Sequence, residues 1–540
     1  MNKIYLSLTL LILPYFIKSQ SQLPSNVNHV SDLRGSVYKM EEVFTYIDRM
    51  YVDTVDIKEI TENAIVSTLE NLDPHSVYIS KEDVDDANQQ IDGSFFGVGI
   101  RFQILKDTLM VVQTIPGGPS EKVGVQAGDR IINIDQELVA GVGLKNSQVR
   151  QKLMGEKDTK VNIQVERAGK KKLLNFTITR GKIPIHSVDS YYMVNNETGY
   201  IKLSSFSRNT MEEVHEALSV LVNKGMKNLV FDLQGNGGGL LYAAQRVADE
   251  FLSDNKLIVY SEGKYQPRQE LKAGMPGKWE KGKLIVLTDE FSASASEIVS
   301  GAIQDWDRGL IIGRRTFGKG LVQRPIELSD GSQMRLTIAR YYTPSGRFIQ
   351  KPYDDFDAYR NDIVNRYEHG EFSNADSIHL ADSLKYATLL NKRSVYGGGG
   401  IMPDIFVPLD TTNVSDYFRK LVQGGHINHY SLTYTNDNRN ELKSNFENFN
   451  HFKKDFNCDE QFMKSFFEYV VKEDPELEYN DEEYQESKTI IRLQLKALIA
   501  QNIYGYNEFY EIYNETNEIL QRALEVLKNN EFDKFNIQKK

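Results

Sequence analysis

Between residues 200 and 313 the chain alternates short apolar strands with helical patterns, and this alternation constrains the fold more than any other feature. Residues 200–203 and 228–231 have the composition of strands, and residues 211–224 between them repeat apolar side chains at helical spacing. A further apolar run at residues 284–287 precedes a turn and another helical pattern. Such alternation predicts an α/β domain.

A serine and a lysine follow these strands in a pattern that suggests nucleophilic chemistry. Ser294 lies in the run FSASASEI, and Lys319 lies in TFGKG, 319 − 294 = 25 residues later. A serine hydroxyl becomes a nucleophile when a base removes its proton, and a lysine can be that base where burial keeps its amine neutral. Because Ser294 is predicted to begin a helix, backbone N–H groups there would face the group under attack.

The residues alone leave alternatives open. Ser292 and Ser296 flank Ser294, and a serine near a helix start is most often only a cap. Lys319 could be an ordinary surface lysine. Its two flanking glycines and the apolar strands around it favour an enclosed position.

Further motifs extend the pattern along the chain. They are LDPHS at residues 72–76, FFGVGI at 95–100, AGD at 127–129, GYIKLSSF at 199–206, DLQGNGGG at 232–239 and TPSGRFIQ at 343–350. Together with the serine and lysine motifs, they make residues 40–408 resemble the C-terminal processing peptidases, or tail-specific proteases. This resemblance implies a serine endopeptidase with a Ser-Lys dyad and a ClpP/crotonase-like core.

The resemblance also assigns roles to individual residues. It implies that Ser294 is the nucleophile, that Lys319 is the base, and that Gln323 hydrogen-bonds the lysine; Gln323 could also merely satisfy a buried backbone group. The amides of Gly237 and Ala295 would form the oxyanion hole, with Gly238 as a rival for the first position.

Other catalytic constellations are disfavoured. The glycines at residues 237–239 lack the Gly-Lys-Ser/Thr of a phosphate loop, and HEALS at 215–219 lacks the second histidine of a zinc protease helix. His75 is expected to fix a turn rather than act as a base. We therefore expect neither a metal nor another cofactor.

Residues 94–181 resemble a PDZ domain. Two glycines precede a predicted edge strand, so that backbone N–H groups can hold a carboxylate while the strand adds a peptide to the sheet. A helix at residues 146–154 would complete an apolar pocket. The residues expected to bind a peptide tail are Phe96, Gly97, Val98, Gly99, Ile100, Val149 and Leu153.

Composition and the N-terminus limit the partners and the location. The net charge of 64 − 75 = −11 without a basic cluster argues against nucleic acid, and the single Cys458 excludes an intramolecular disulfide. Asn2 and Lys3 precede an apolar run at residues 4–17, which is typical of a secretory signal. We expect an exported, periplasmic protein; an uncleaved membrane anchor is the alternative.

These observations predict a multidomain α+β protein. Its expected parts are a signal peptide (1–19), an N-terminal helical region (28–93), a PDZ domain (94–181), a protease core (182–408, with an insertion at 351–396) and a C-terminal helical extension (409–540). The helical region would support a homodimer or only pack on the core. The extension would be a cap, a dimer contact or an adaptor-binding surface.

Two functional classes are compatible with this architecture. The first is an endopeptidase that holds proteins or peptides by free apolar C-termini and cuts them nearby. The second is a noncatalytic tail-binding scaffold. Because the chain retains both the serine and the lysine, we expect the enzyme, with activity that depends on movement of the PDZ domain when a tail binds.

Overall fold

The computed structural model of the chain describes residues 26–167 and 169–537, with side chains from residue 32 onward. The predicted signal peptide lies outside the described residues. The chain divides into two units, residues 1–71 and 72–540, which are described separately. None of the helices in the described ranges is long and apolar enough to cross a bilayer.

The first unit contains two helices, α1 (Asn26–Met50) and α2 (Ile57–Glu70). Asp56 caps α2 by accepting hydrogen bonds from the N–H groups of Lys58 and Glu59. One cap of this kind typically stabilises a helix by about 1 kcal/mol. The helical prediction for this region is therefore confirmed.

The second unit begins with a strand, a helix and an antiparallel domain. Their bounds are β1 (Val77–Ile79), α3 (Val84–Asp92), β2 (Ser94–Gly97), β3 (Ile100–Leu105), β4 (Thr108–Thr114), α4 (Pro119–Lys122), β5 (Arg130–Ile134), β6 (Glu137–Leu138), α5 (Asn146–Leu153), β7 (Lys160–Glu166), β8 (Leu174–Thr179) and β9 (Gly181–Pro184). The sequence predicted helix throughout residues 37–90. This prediction is wrong at β1, because residues 77–79 form a strand that pairs with residues 333–335.

The antiparallel domain has its own sheet and core. Its strands lie in the order β3-β4-β5-β7-β8, with β6 beside β5, and β3 forms one edge. Buried apolar side chains of β4, β5, β7 and α5 fill the interior. The predicted edge strand therefore has an unpaired side on which a peptide could add.

The α/β core follows. Its elements are β10 (Val188–Met193), β11 (Thr198–Leu203), α6 (Thr210–Asn223), β12 (Asn228–Asp232), α7 (Leu241–Asp249), β13 (Leu257–Gly263), β14 (Gln266–Lys272), β15 (Lys283–Thr288), α8 (Ala295–Asp305), β16 (Leu310–Gly313), β17 (Leu321–Glu327) and β18 (Gln333–Tyr342). The segment predicted as an insertion contributes α9 (Phe356–Arg360), α10 (Asp362–Glu368), β19 (Lys385–Ala387) and β20 (Ser394–Tyr396), and β21 (Ile405–Phe406) follows.

Two sheets organise this core. The larger has the order β10-β11-β12-β15-β16-β21, and its pairs are parallel except β10 with β11. Because β12 and β15 are parallel neighbours, the loops that follow them meet at one edge of the sheet. The smaller sheet has the order β1-β18-β13-β14, with β17 also paired to β18.

The C-terminal extension is helical. Its helices are α11 (Asp416–Gln423), α12 (His426–Asp437), α13 (Arg439–Asn445), α14 (Phe449–Asp455), α15 (Glu460–Glu473), α16 (Asp481–Ile503), α17 (Tyr506–Tyr513) and α18 (Glu518–Lys528). Ile519 and Leu520 of α18 pack with Ile285 on the face of the large sheet. Leu432 of α12 packs with Met110 of β4. The extension thus contacts both the α/β core and the antiparallel domain.

Candidate active site

Ser294 occupies a sharp turn between β15 and α8. It is the N-cap of α8, with φ 55° and ψ −109°, a combination that L-residues with a Cβ rarely adopt. Strained backbone of this kind is found most often at functional sites. The residue is half-buried.

The two neighbouring serines use their hydroxyl groups in buried hydrogen bonds. Both are fully buried. Ser292 donates from Oγ to the Leu233 carbonyl at 2.8 Å, and Ser296 donates from Oγ to the Asn236 carbonyl at 2.8 Å. These bonds fasten the serine turn to the loop after β12. Of the three serines, Ser294 is the one that is not fully buried.

The glycine loop after β12 lies directly against this turn. A Cβ built on Gly238, where φ is +101°, would lie 2.8 Å from the Ser294 Cβ and 2.8 Å from the Ala293 carbonyl oxygen. The Gly238 N–H donates to Asn236 Oδ1 at 2.9 Å. Among the described residues, no hydrogen bond uses the N–H groups of Gly237 or Ala295. This pattern favours Gly237 over Gly238 as an oxyanion donor.

A buried carboxylate joins the serine turn to the lysine loop. Glu297 Oε2 accepts the N–H of Ser294 at 2.7 Å and the N–H of Lys319 at 2.8 Å. Its Oε1 accepts the Gly318 N–H at 2.7 Å and the Thr316 hydroxyl at 2.6 Å. Burial raises the pKa of Glu297 to about 7, although all four hydrogen bonds act in the opposite direction.

The sequence analysis did not single out Glu297. Its signal was present, because a serine followed three residues later by glutamate is the pattern of a helix capping box. Here the Glu297 carboxylate accepts hydrogen bonds both from the N-cap residue Ser294 and from the lysine loop.

Tyr341 makes a second link between the same two segments. Its hydroxyl lies 2.5 Å from the Lys319 carbonyl oxygen and 3.0 Å from the Ser294 carbonyl oxygen. The ring is buried, with 1% of its surface exposed. No local motif indicated this residue, because its contacts depend on β18 crossing beneath both loops.

Lys319 is half-buried, in agreement with the enclosed position that the sequence favoured. Burial lowers the pKa of Lys319 below its ordinary value; the charges of Glu297 and Asp73 oppose this, and Arg335 lowers the pKa further. The net direction favours the neutral amine that a general base requires. Within the described ranges no hydrogen bond joins Lys319 Nζ to Ser294 Oγ, and catalytic hydrogen bonds are often long without substrate.

Gln323 differs from its expected arrangement. Its Nε2 donates to Thr337 Oγ1 at 3.2 Å and not to Lys319, because Gln323 of β17 pairs directly with Thr337 of β18. Thr337 in turn donates from Oγ1 to Asp73 Oδ1 at 3.0 Å. Gln323 therefore belongs to a polar chain that ends at a carboxylate near the lysine.

His75 lies beside the same carboxylate. Its backbone N–H donates to Asp73 Oδ1 at 2.8 Å, which fits the predicted role in a turn. Its Nε2 lies 2.7 Å from the hydroxyl of Tyr359. Burial, assisted by the charge of Lys319, lowers the pKa of His75 to about 4. The imidazole is thus neutral at physiological pH.

A cavity of about 560 Å³ lies at the edge strand of the antiparallel domain. Four residues expected to bind a tail line it, namely Val98, Gly99, Ile100 and Leu153. Phe96 and Gly97 are not part of the lining. Val149 is fully buried in the domain core, because its side chain points from α5 toward the sheet. The cavity also has a wall that the sequence did not indicate, formed by α3.

In the described part of the chain, no group of three or more His, Cys, Asp or Glu side chains is arranged to hold a metal ion.

Comparison with known proteins relates these features to three families. Peptidase family S41 matches residues 197–357, the PDZ domain matches residues 97–178, and a family of unknown function matches residues 417–505.

Two sequence relatives agree with the peptidase match, and one similar solved structure is given with them. A carboxy-terminal-processing protease of Bartonella bacilliformis is 35% identical over 327 residues, which are 60% of this chain and 74% of that protein. The carboxy-terminal processing protease CtpB of Bacillus subtilis is 31% identical over 332 residues, covering 61% of this chain and 68% of that protein. A solved photosystem II D1 C-terminal processing protease is 28% identical, covers 70% of this chain and 88% of its own, and gives a TM-score of 0.37.

The contact between Gly238 and Ser294 can be tested by substitution. We expect Gly238→Ala to lower kcat/KM for peptide hydrolysis by about 100-fold, because the added Cβ must displace the serine turn. Gly237→Ala is the matched control: its Cβ would meet no atom within 4 Å, and the N–H is retained. Equal activity of the two variants would contradict this packing.

Proposed function

Since the chain belongs to the carboxy-terminal processing proteases of peptidase family S41, we propose that Ser294 and Lys319 form its catalytic dyad and that its PDZ domain selects substrates by their tails. The protein is a serine-type endopeptidase with a PDZ domain. The observation that carries the dyad proposal is that the same two side chains contact both Ser294 and Lys319. Glu297 and Tyr341 each contact the backbones of both Ser294 and Lys319.

The proposed reaction has two stages. The neutral Lys319 amine takes the Ser294 hydroxyl proton as Oγ attacks the scissile carbonyl carbon, and the carbonyl oxygen becomes an oxyanion held by the N–H groups of Gly237 and Ala295. The tetrahedral intermediate collapses, the C–N bond breaks, and the Lys319 ammonium gives its proton to the leaving amine. Water then attacks the acyl-enzyme with Lys319 again as base, which releases the acid and restores the serine.

Substrate selection is assigned to the PDZ cavity. An extended tail would pair with the free edge of β3, while its terminal side chain enters the apolar space beside Ile100 and Leu153. The turn at Gly99, with φ +75°, would direct backbone N–H groups at the terminal carboxylate. We therefore propose proteins or peptides with free apolar C-termini as substrates.

The location and the partners are also proposals. The basic residue and apolar run at the N-terminus support export to a periplasm, with membrane association if the segment stays uncleaved. Helix α1 exposes several large apolar side chains, which supports a homodimer: Leu33, Val37, Tyr38, Met40, Val43, Tyr46 and Met50. An adaptor protein is a further proposed partner, and the helical extension offers a surface for it.

The nucleophile is tested by two serine substitutions. We expect Ser294→Ala to lower kcat by about 10⁴-fold or more while tail binding is retained, because only the attacking oxygen is lost. Ser296→Ala should keep most activity, since its hydroxyl only holds a loop carbonyl. Steady-state kinetics and peptide-binding measurements on the same preparations check both. Retained turnover by Ser294→Ala would place the nucleophile elsewhere.

The base is tested by a charge-preserving substitution. Lys319→Arg should be nearly as inactive as Lys319→Ala, because arginine cannot release its proton in a protein. In the unsubstituted enzyme, kcat should rise with pH as the amine loses its proton, with a midpoint below the ordinary lysine value of about 10.4 because the pKa is lowered. Substantial turnover by the arginine variant would require a different base.

Tail recognition is tested on the substrate and on the cavity. Amidating the substrate C-terminus should raise KM by about 10-fold or more, because hydrogen bonds to the terminal charge are lost. Leu153→Asp should have a similar effect, whereas Leu138→Asp, at an exposed position of the same domain, should not. Unchanged cleavage of the amidated substrate would show that the PDZ domain is not the tail reader.

A further inference from the structure

Helix α3 is a wall of the tail cavity that does not belong to the PDZ domain. Asp86, Ala87, Gln89 and Gln90 of α3 line the same space as Ile100 and Leu153. On the opposite side the lining includes Arg101, Asn146 and Arg150. A tail in this cavity would therefore contact the PDZ domain on one side and α3 on the other.

The C-terminal end of α3 is attached to the protease core. The Arg208 N–H donates to the Ile91 carbonyl at 3.0 Å, and Asn209 Nδ2 donates to the Gly93 carbonyl at 2.9 Å. Arg208 Nε also forms an ion pair with Asp92 at 2.8 Å. The wall formed by α3 thus keeps its place relative to the core.

The middle of α3 is held by Arg335 of β18. Its Nη2 donates to the Ala87 carbonyl at 2.8 Å and to Asn88 Oδ1 at 3.1 Å. The bonded segment, Ala87 and Asn88, is interleaved with the residues that face the cavity. A tail that contacts this wall would therefore also contact the segment of α3 that binds Arg335.

Arg335 also belongs to the surroundings of Lys319. It lies two residues before Thr337 in a regularly paired part of β18, so both side chains share one face of the strand. Thr337 binds Gln323 and Asp73. The charged groups that shift the pKa of Lys319 are Glu297 from α8, Asp73 from the segment before β1, and Arg335. The charge of Lys319 in turn lowers the pKa of His75.

We propose that α3 is a second recognition element for the substrate tail and that Arg335 is a positioning residue that joins this element to the environment of Lys319. This inference rests on the proposed function of Lys319 as base. A tail bound between β3 and α3 favours the arrangement in which α3 holds Arg335, and it can do so only by binding that arrangement more tightly. The polar α3 wall contacts residues upstream of the apolar terminus.

The test compares three variants in the full chain. In Arg335→Gln, loss of a positive charge that lowers the pKa of Lys319 should raise that pKa. The rise of kcat with pH should therefore move to higher pH. Arg335→Lys should restore the midpoint, but not tail affinity, because a lysine cannot reproduce the two bonds to α3. Asn88→Ala should weaken tail affinity and leave the midpoint unchanged.

Tail affinity is measured apart from catalysis. Each substitution is placed in the Ser294→Ala background, and binding of a fluorescent peptide with an apolar C-terminus is followed by anisotropy. We expect Arg335→Gln to weaken binding about fivefold or more. Arg324→Gln is the matched control, since Arg324 is exposed on the adjacent strand β17, and it should change neither quantity.

The outcomes separate this inference from the proposed function. A normal pH midpoint and normal tail binding in Arg335→Gln would overturn the inference, while the dyad would stand. Active Lys319→Arg enzyme would instead overturn the dyad. If Arg335→Gln does not fold, Arg335→Lys and Asn88→Ala decide: unchanged tail affinity in both would overturn the proposal.

Discussion

The Glu297 carboxylate is the interaction on which the active-site arrangement depends. It is buried, and it accepts hydrogen bonds from the serine turn and from three groups of the lysine loop. Each hydrogen bond contributes about 0.5–1.5 kcal/mol, or about 1.5–3 kcal/mol when the carboxylate is charged, and its loss would leave a buried donor unsatisfied. Because one side chain serves both loops, Glu297 holds the backbones of Ser294 and Lys319 together, and Tyr341 adds a second link between them.

The two sheets supply the positions from which this group acts. The large sheet brings the loops after β12 and β15 to one edge, where the Gly238 backbone lies against Ser294. Strand β18 of the smaller sheet supplies Tyr341 beside Ser294 and Lys319, Thr337 at the polar chain of Gln323, and Arg335 at α3. In the proposed link, side chains along this strand connect the cavity at β3 and α3 to the surroundings of the lysine.

Local sequence signals predicted much of this arrangement. The strand, turn and helix around Ser294 were confirmed, because hydrophobic periodicity and cap residues are local properties. Tyr341 and the α3 wall escaped prediction, because their contacts join residues far apart in the chain. Gln323 was placed on the lysine, whereas cross-strand pairing turns it to Thr337. Val149 was placed in the groove, since helical spacing alone does not reveal which side faces the core.

The central claim is that Ser294 is activated by a neutral Lys319 in an enclosed site. The most direct measurement is labelling of the full chain with a fluorophosphonate, a reagent that modifies activated serines, followed by peptide mapping by mass spectrometry across a series of pH values. The account predicts one adduct, on Ser294, whose rate of formation rises with pH and is abolished in Lys319→Arg. An adduct on another serine, or labelling of Ser294 that is equally fast in Lys319→Arg, would contradict it.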